Sequence, residues 1–279
     1  MCSSDLSTTT RPAPATPADR VRQIAVAVGT AIALVGAFLG SGAAGGTPVQ
    51  DAADGAFAAD ATLLAPAGPA FAIWSVIYLG LVGYAVYQAL PRQASRTLHR
   101  SAGWWILLST LFNGAWILVV QAGLVGLSLA VIAVLLVVLV VVAAVLRRHP
   151  SEGWADTVLV HGTMGLYLGW VTIATVANVT ALLVRAGFSG VGLSPDAWGV
   201  AVLVVAGLIS VALAAWNRGR VTPALATAWG VFWIGVARST GDPASGTVAV
   251  TAYVVAAVIL VAAVAVRIAG VRSSRGVAD

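Results

Sequence analysis

The chain has 279 residues, of which 59% are hydrophobic and only 9% are charged, and its mean hydropathy is +0.96. Because a soluble domain carries about 25% charged residues, this composition excludes a soluble globular protein and predicts an integral membrane protein. All 15 basic residues are arginines, which excludes a lysine Schiff base. The lone cysteine, Cys2, excludes an intrachain disulfide. The net charge of +5 comes from arginines scattered at the ends of apolar segments, so no nucleic-acid partner is expected.

The N-terminal residues 1–22 are rich in Ser, Thr, Pro and Ala and have no apolar periodicity, which predicts a disordered cytoplasmic tail. The apolar run 24–40 comes next. It could be a cleaved signal peptide, because the small residues that follow it would suit cleavage. A retained first helix agrees better with the topology of the remaining chain.

Seven more apolar runs follow, after a loop of residues 41–68 that contains aspartates and no basic residue. Each run is roughly 15 to 27 residues long, which suits a bilayer core of about 30 Å, although the run 223–237 is short. Helices are expected because the runs are continuously apolar and do not alternate as barrel strands would. The fold class is therefore an all-α polytopic membrane bundle with eight spans, at residues 24–40, 70–90, 104–122, 127–146, 158–184, 198–216, 223–237 and 246–268.

The arginines indicate how these spans are oriented. With the N-terminus inside, the inner segments hold 13 arginines and the outer loops hold only Arg185 and Arg238. This bias is strong, and with one span more or fewer the arginines would no longer be concentrated on one side of the membrane. We therefore expect a protein of the cell inner membrane with both termini cytoplasmic and residues 41–68 outside.

The fifth span carries a polar and aromatic face. Trp170, Ala174 and Asn178 are four residues apart and share one side of a helix. An amide in hydrocarbon is costly unless it finds partners. Either Asn178 bonds a neighbouring helix and Ala174 permits close packing, or this face lines a pocket into which a ligand comes close.

The second and third spans repeat this pattern. Phe71, Trp74 and Tyr78 share one face of the second span, and Asn113 and Trp116 share one face of the third. The predicted topology places them in the outer third of the membrane, at a depth similar to that of Asn178. An aromatic belt facing lipid is the alternative, and it accounts for the tryptophans at span ends: Trp104, Trp105, Trp154 and Trp198. Because a lipid-facing Asn is expensive, a shared inward pocket with two amides fits the other residues better.

Three segments carry a family pattern: AFAIWSVIYLGLVGY at 70–84, NGAW at 113–116 and LYLGWVTIATVAN at 166–178. Together they resemble the TspO/MBR family, the tryptophan-rich sensory proteins related to the mitochondrial translocator protein (peripheral benzodiazepine receptor). The resemblance implies a five-helix bundle in residues 23–184 whose pocket opens toward the first long loop. It implies a porphyrin, haem or sterol-like ligand and no required cofactor. The ligand-binding residues would be Phe71, Trp74, Tyr78, Asn113, Trp116, Trp170, Ala174 and Asn178.

The chain departs from the family pattern at the expected lid of the pocket. The family usually has a Trp-x-Pro-Pro run before its second helix, where this chain has only Pro66 and Pro69. The prolines that usually follow Asn-x-x-Trp are replaced by Ile117 and Leu118. The lid of this protein is therefore expected to differ from that of its family.

Residues 185–279 add three more spans and a short cytoplasmic tail beyond these motifs. In this region Trp229 and Trp233 lie at i and i+4. They either form an extra aromatic wall of the pocket or take part in ordinary helix packing.

The remaining polar residues argue against other functions. No carboxylate lies in the middle of a span, as ion-coupled transporters usually require. His161 lies at the inner end of the fifth span, away from the proposed pocket, and His149, Glu152 and Asp156 make only a weak metal pattern. With no triad and no metal site, we expect a receptor-like, non-enzymatic protein that binds, senses or transports a hydrophobic planar molecule, with a tetrapyrrole as favoured class. The alternative is an uncoupled transporter or binder of lipid-like molecules whose tryptophans serve mainly packing; a homodimer is compatible with either.

Overall fold

Eight long helices form the part of the chain that the computed structural model describes, residues 14–42 and 44–275, with side chains to residue 270. A 3-10 turn at Gly68–Ala72 leads into the second helix, and a π-helical segment at Asp156–Gly162 leads into the fifth. The predicted all-α class is confirmed. The helices are α1 (Pro17–Gly40), α2 (Ile73–Ala89), α3 (Thr97–Gln121), α4 (Val125–Arg148), α5 (Thr163–Arg185), α6 (Pro195–Trp216), α7 (Val221–Thr240) and α8 (Gly246–Arg275).

Residues 41–42 and 44–67 form a loop over one end of this bundle. We call this segment the outer loop, the end that carries it the outer end, and the opposite end the inner end. Among the described residues, seven helices are long and apolar enough to cross a membrane. The chain is therefore a multi-pass membrane protein.

The helix α7 is not one of these seven, although it has 20 residues. It packs between α5 and α8, and its side chains Thr227 and Arg238 are each only 1% exposed. A helix with protein on two sides exposes little surface to lipid, so polar side chains can face the bundle interior. This position explains why the seventh predicted span is the least apolar.

The helix α1 begins at Pro17, so the predicted disordered tail is wrong for residues 17–22. The Asp19 amide donates to Thr16 Oγ1 at 3.3 Å, and the Thr16 amide donates to the Asp19 carboxylate at 2.9 Å. This reciprocal pair is a capping box, and a proline suits the first position of a helix. Residues 1–13 lie outside the described part. The start was missed because the Thr and Pro content that indicates disorder also supplies a helix cap.

The helices pack in two connected groups. In the first group, α1 packs on α2 and α3, α3 packs on α4, and α4 packs on α5. In the second group, α8 packs on both α6 and α7. The contact between α5 and α7 connects the groups, and glycines bring these backbones close. A Cβ added at Gly169 would lie 2.1 Å from the Pro223 carbonyl oxygen, and one added at Gly165 would lie 2.0 Å from Thr222 Oγ1. A domain division at residue 184 stays a prediction.

The outer loop is held by the two arginines that break the positive-inside bias. Arg185, at the end of α5, donates to the Ala53 carbonyl at 2.9 Å and lies 3.6 Å from the Asp54 carboxylate. Arg238, near the end of α7, donates to the Ala59 carbonyl. Both helix ends therefore anchor the same loop.

The inner end is held by a buried ion pair at the start of the π-helical segment. Arg96 donates two hydrogen bonds to Asp156, at 2.9 and 2.7 Å, and Tyr87 donates a third at 2.8 Å. Asp156 is 1% exposed and Arg96 19% exposed. Glu152 also pairs with Arg96, at 2.8 Å. The hydrogen bonds to Asp156 raise the pKa of Arg96, and the pair ties the loop between α2 and α3 to the fifth span.

Candidate functional site

Aromatic side chains of α2 and α5 meet ring to ring toward the outer end. The Trp74 and Tyr78 rings are stacked, with centroids 5.2 Å apart. Trp74 also meets Trp170 edge to face at 6.2 Å, and Phe71 meets Trp170 at 5.8 Å. These separations are typical of favourable aromatic pairs. The predicted faces of the second and fifth spans therefore pack against each other.

The exposure of the tryptophans separates the two groups that the sequence distinguished. Trp116 and Trp170 are 3% and 2% exposed. The tryptophans assigned to an interfacial belt are between 37% and 77% exposed: Trp104, Trp105, Trp154 and Trp198. Trp116 and Trp170 of the predicted pocket are therefore buried, and the four tryptophans at span ends are exposed.

Both predicted amides are buried and bonded. Asn113 Nδ2 donates to Tyr78 Oη at 3.1 Å. Asn178 Oδ1 accepts from Trp116 Nε1 at 3.3 Å and from Ser128 Oγ at 3.0 Å. Asn178 therefore links α5 to α3 and α4, as the packing interpretation of this residue expects.

The predicted side chains border two adjoining cavities. The larger, of about 350 Å³, lies between α1, α2, α3 and the outer loop, within the range of roughly 300 to 1,000 Å³ for small-molecule pockets. The smaller, of about 20 Å³, reaches Ala174 and Asn178 on α5. Asn113 lines neither cavity and holds Tyr78 in place. The two cavities share a partition made of Phe71, Trp74 and Trp116.

Phe57 of the outer loop closes the smaller cavity. It is 5% exposed, lines that cavity, and its ring lies 6.1 Å from the Trp116 ring. Phe57 was not among the residues that the helix spacing predicted. Phe57 is the only large apolar side chain among residues 51–62. A lone aromatic residue in a loop of small residues indicates a buried anchor, and this signal could have predicted its position.

Two buried polar atoms near these cavities lack hydrogen-bond partners among the described residues. They are Trp170 Nε1, a donor, and Asn113 Oδ1, an acceptor. An unsatisfied buried polar group costs about 1 to 3 kcal/mol. A ligand with a carboxylate, carbonyl or N–H group could satisfy such atoms while its apolar body packs on the rings.

A larger apolar cavity, of about 570 Å³, lies on the opposite side of α5, facing α6. The hydroxyls of Thr175 and Thr180 donate to carbonyls of their own helix, and Trp198 Nε1 donates to the Gly190 carbonyl. These three polar groups are thus satisfied within the protein, and the lining is mostly apolar, which suits a hydrocarbon chain better than a polar ligand. The sequence did not predict this cavity.

Trp229 and Trp233 support the start of α2. Their rings meet edge to face at 5.6 Å. Trp229 Nε1 donates to the Ala70 carbonyl at 2.9 Å, and the Ala67 amide donates to the Trp233 carbonyl at 3.1 Å. Neither tryptophan lines the cavities described above. Their contacts fit the packing interpretation and fix the turn that presents Phe71.

The histidine at the inner end lies apart from the aromatic pocket. His161 is 9% exposed and borders a small cavity together with Asn217 and Arg220. The described residues contain no group of three or more His, Cys, Asp or Glu side chains that could hold a metal ion. Of the weak metal pattern, Glu152 and Asp156 both pair with Arg96.

Comparison with protein-family models gives a match over most of the chain. A family model described as TSPO-like protein matches residues 25–265. The match extends beyond the motifs of the first five spans and includes α6, α7 and most of α8. No curated protein and no solved structure matches the chain. The chain therefore belongs to the TSPO-like protein family.

Proposed function

We propose that the aromatic pocket at the outer end binds a flat hydrophobic small molecule, with a tetrapyrrole such as a porphyrin or haem as favoured class. Membership of the TSPO-like family supports a role in binding or transporting hydrophobic molecules at a membrane. The observation that carries the proposal is the aromatic partition of Phe71, Trp74 and Trp116 between two cavities. Indole and phenyl faces suit a conjugated ring, and the unpartnered donor Trp170 Nε1 beside the smaller cavity suits a carboxylate substituent.

The smaller cavity is too small for such a ligand, so binding requires Phe57 to leave its position. Withdrawal of Phe57 would enlarge the space beside Ala174 on its side of the partition. To join this space to the 350 Å³ cavity, Phe71, Trp74 or Trp116 would also have to move. The proposal therefore includes a displaced outer loop in the bound state.

The pocket is tested by titrating the purified protein in detergent with protoporphyrin while tryptophan fluorescence is recorded. Saturable quenching is expected from the wild type. In Ala174→Phe the new ring fills the space beside Trp170, so the affinity should fall by roughly tenfold or more. Ala133→Phe is the matched control, because Ala133 is exposed on the lipid-facing surface of α4. Normal affinity in a well-folded Ala174→Phe protein would contradict the site.

Because Phe57 closes the smaller cavity, removing its ring is expected to strengthen binding, whereas Ala174→Phe is expected to weaken it. Removing a buried phenyl ring lowers the cost of opening by about 1.5 to 3 kcal/mol, so Phe57→Ala should bind protoporphyrin roughly ten- to a hundredfold more tightly. The same titration measures this change. Phe188→Ala is the comparison, since Phe188 is 42% exposed and borders the other cavity. Weaker binding by Phe57→Ala would mean that Phe57 is a wall of the site and not its plug.

A second candidate is a binder or uncoupled transporter of lipid-like molecules. It is favoured by the 570 Å³ cavity facing α6, whose lining is almost wholly apolar. In this case the tryptophans of the aromatic pocket serve mainly packing. Absence of saturable protoporphyrin quenching in the folded wild type would favour this candidate.

Most arginines lie in the segments predicted to be on the inner side of the membrane. From this bias we infer a cell inner-membrane location with both termini in the cytoplasm. We also infer that the protein acts by binding, sensing or transport and not by catalysis. A homodimer is compatible with this function.

A further inference from the structure

Five arginines gather at the inner end of the C-terminal helices, away from the aromatic pocket. Two end α4, two lie in the turn between α6 and α7, and one lies on α8: Arg147, Arg148, Arg218, Arg220 and Arg267. We call them the inner arginine patch. The positive-inside rule explains why arginines lie on this side, but it does not explain why they converge.

Contacts between the elements fix this convergence. Arg220 Nη2 donates to the Leu146 carbonyl at 3.0 Å, so the turn before α7 touches the end of α4. The Arg147 guanidinium lies 5.0 Å from the centroid of the Trp216 ring. A Cβ added at Gly219 would lie 2.5 Å from the Arg267 amide nitrogen, so the same turn presses on α8. The patch therefore belongs to a packed junction of three elements.

No acidic side chain of the described residues pairs with the patch. Among the described residues, none of its five arginines forms an ion pair. Burial and the charges of Arg218 and Arg267 lower the pKa of Arg220. Two arginines elsewhere at the inner end differ, since Arg22 pairs with Asp19 and Arg96 pairs with Asp156. The inner end thus has one neutralised and one positive region.

Unpartnered polar atoms face a small cavity beneath the patch. The cavity is about 10 Å³ and is bordered by His161, Asn217, Arg220 and Thr222. His161 is 9% exposed and Asn217 4% exposed. Both ring nitrogens of His161 and Oδ1 of Asn217 lack partners among the described residues. The cavity has the size of a single water molecule or ligand oxygen.

Exposed apolar side chains continue from the patch along α8 toward the bundle middle. Val264 and Val261, which precede Arg267 on α8, are 51% and 68% exposed. Trp216, 38% exposed, flanks the patch from α6. Positive charge at a helix end followed by an apolar helix surface is complementary to a molecule with an anionic head and hydrocarbon chains.

We propose that the inner arginine patch binds the phosphate headgroup of an anionic phospholipid of the inner leaflet, with an acyl chain along α8. Guanidinium groups bind phosphate oxygens through paired hydrogen bonds and remain charged at every physiological pH. His161 and Asn217 provide the polar groups for a headgroup oxygen or its bridging water. This site is independent of the aromatic pocket and of its ligand.

The test compares lipids of different charge on the full-length protein in detergent. Native mass spectrometry counts bound dioleoyl phosphatidylglycerol, and thermal unfolding measures the stabilisation it gives. Phosphatidylcholine with the same chains and inorganic phosphate at millimolar concentration are the other probes. We expect phosphatidylglycerol alone to stay bound and to stabilise. Equal binding of phosphatidylcholine would overturn the proposal, and full stabilisation by inorganic phosphate would assign the patch to a free anion.

The variant R218Q/R267Q removes two charges of the patch, and its affinity for phosphatidylglycerol should fall roughly tenfold or more. R20Q/R92Q is the matched control, because Arg20 and Arg92 are exposed inner-side arginines outside the patch. An equal loss in the control would mean diffuse attraction and no site. If R218Q/R267Q fails to fold, R148Q/R267Q gives the same comparison with two exposed residues outside the turn.

Discussion

Replacing Asp156 by alanine is expected to lower the free energy of unfolding by about 3 to 5 kcal/mol. The carboxylate accepts two hydrogen bonds from Arg96 and one from Tyr87. Its removal leaves the Arg96 guanidinium, 19% exposed, with Glu152 as its only described acidic partner. Unfolding by SDS titration in mixed micelles measures the change.

Glu152→Ala is the matched control for this prediction. Glu152 pairs with the same arginine but is 76% exposed, so its removal should change the stability by no more than about 0.5 kcal/mol. Equal losses in the two variants would show that the attraction of Arg96 for negative charge matters more than its buried hydrogen bonds.

Replacing Gly169 by alanine is expected to weaken the contact between α5 and α7 and to destabilise the protein by about 1 to 3 kcal/mol. The new Cβ would lie 2.1 Å from the Pro223 carbonyl oxygen. This atom belongs to the backbone, so α7 itself must move. The same SDS titration reports the loss, and proteolysis near α7 should become faster.

Gly36→Ala is the comparison for this second variant. An added Cβ at Gly36 meets no atom within 4 Å, and alanine favours a helix by about 1 kcal/mol over glycine. Gly36→Ala should therefore be neutral or slightly stabilising. A stable Gly169→Ala protein with unchanged proteolysis would mean that α5 and α7 can separate without cost.

The fold could be predicted from the sequence because, in lipid, the backbone polar groups of an apolar segment must be hydrogen-bonded within the segment. Each continuous apolar run must be a helix, so the eight runs predict the eight helices in order. The beginning of α1 was not readable. There a capping box at Thr16 extends the helix into a segment whose composition indicates disorder.

Only part of the candidate site could be predicted from the sequence. Spacing placed Trp170, Ala174 and Asn178 on one face, and the structure brings that face against α2 and α3. Spacing within a helix says nothing about a distant loop, so the insertion of Phe57 was missed. The use of Arg185 and Arg238 was also missed, since their bonds go to backbone carbonyls, which look alike in every sequence.

If the aromatic pocket binds a ligand as proposed, the two arginine anchors would limit how fast that ligand is exchanged. Arg238 is 1% exposed and holds the outer loop just beyond Phe57, while Arg185 holds it just before Phe57. An opening that moves the outer loop away from the bundle would break at least one of these anchors. Entry and exit would then share one slow step, as in proteins whose loop opening limits product release. A ligand held in this way has a long residence time even when its affinity is modest.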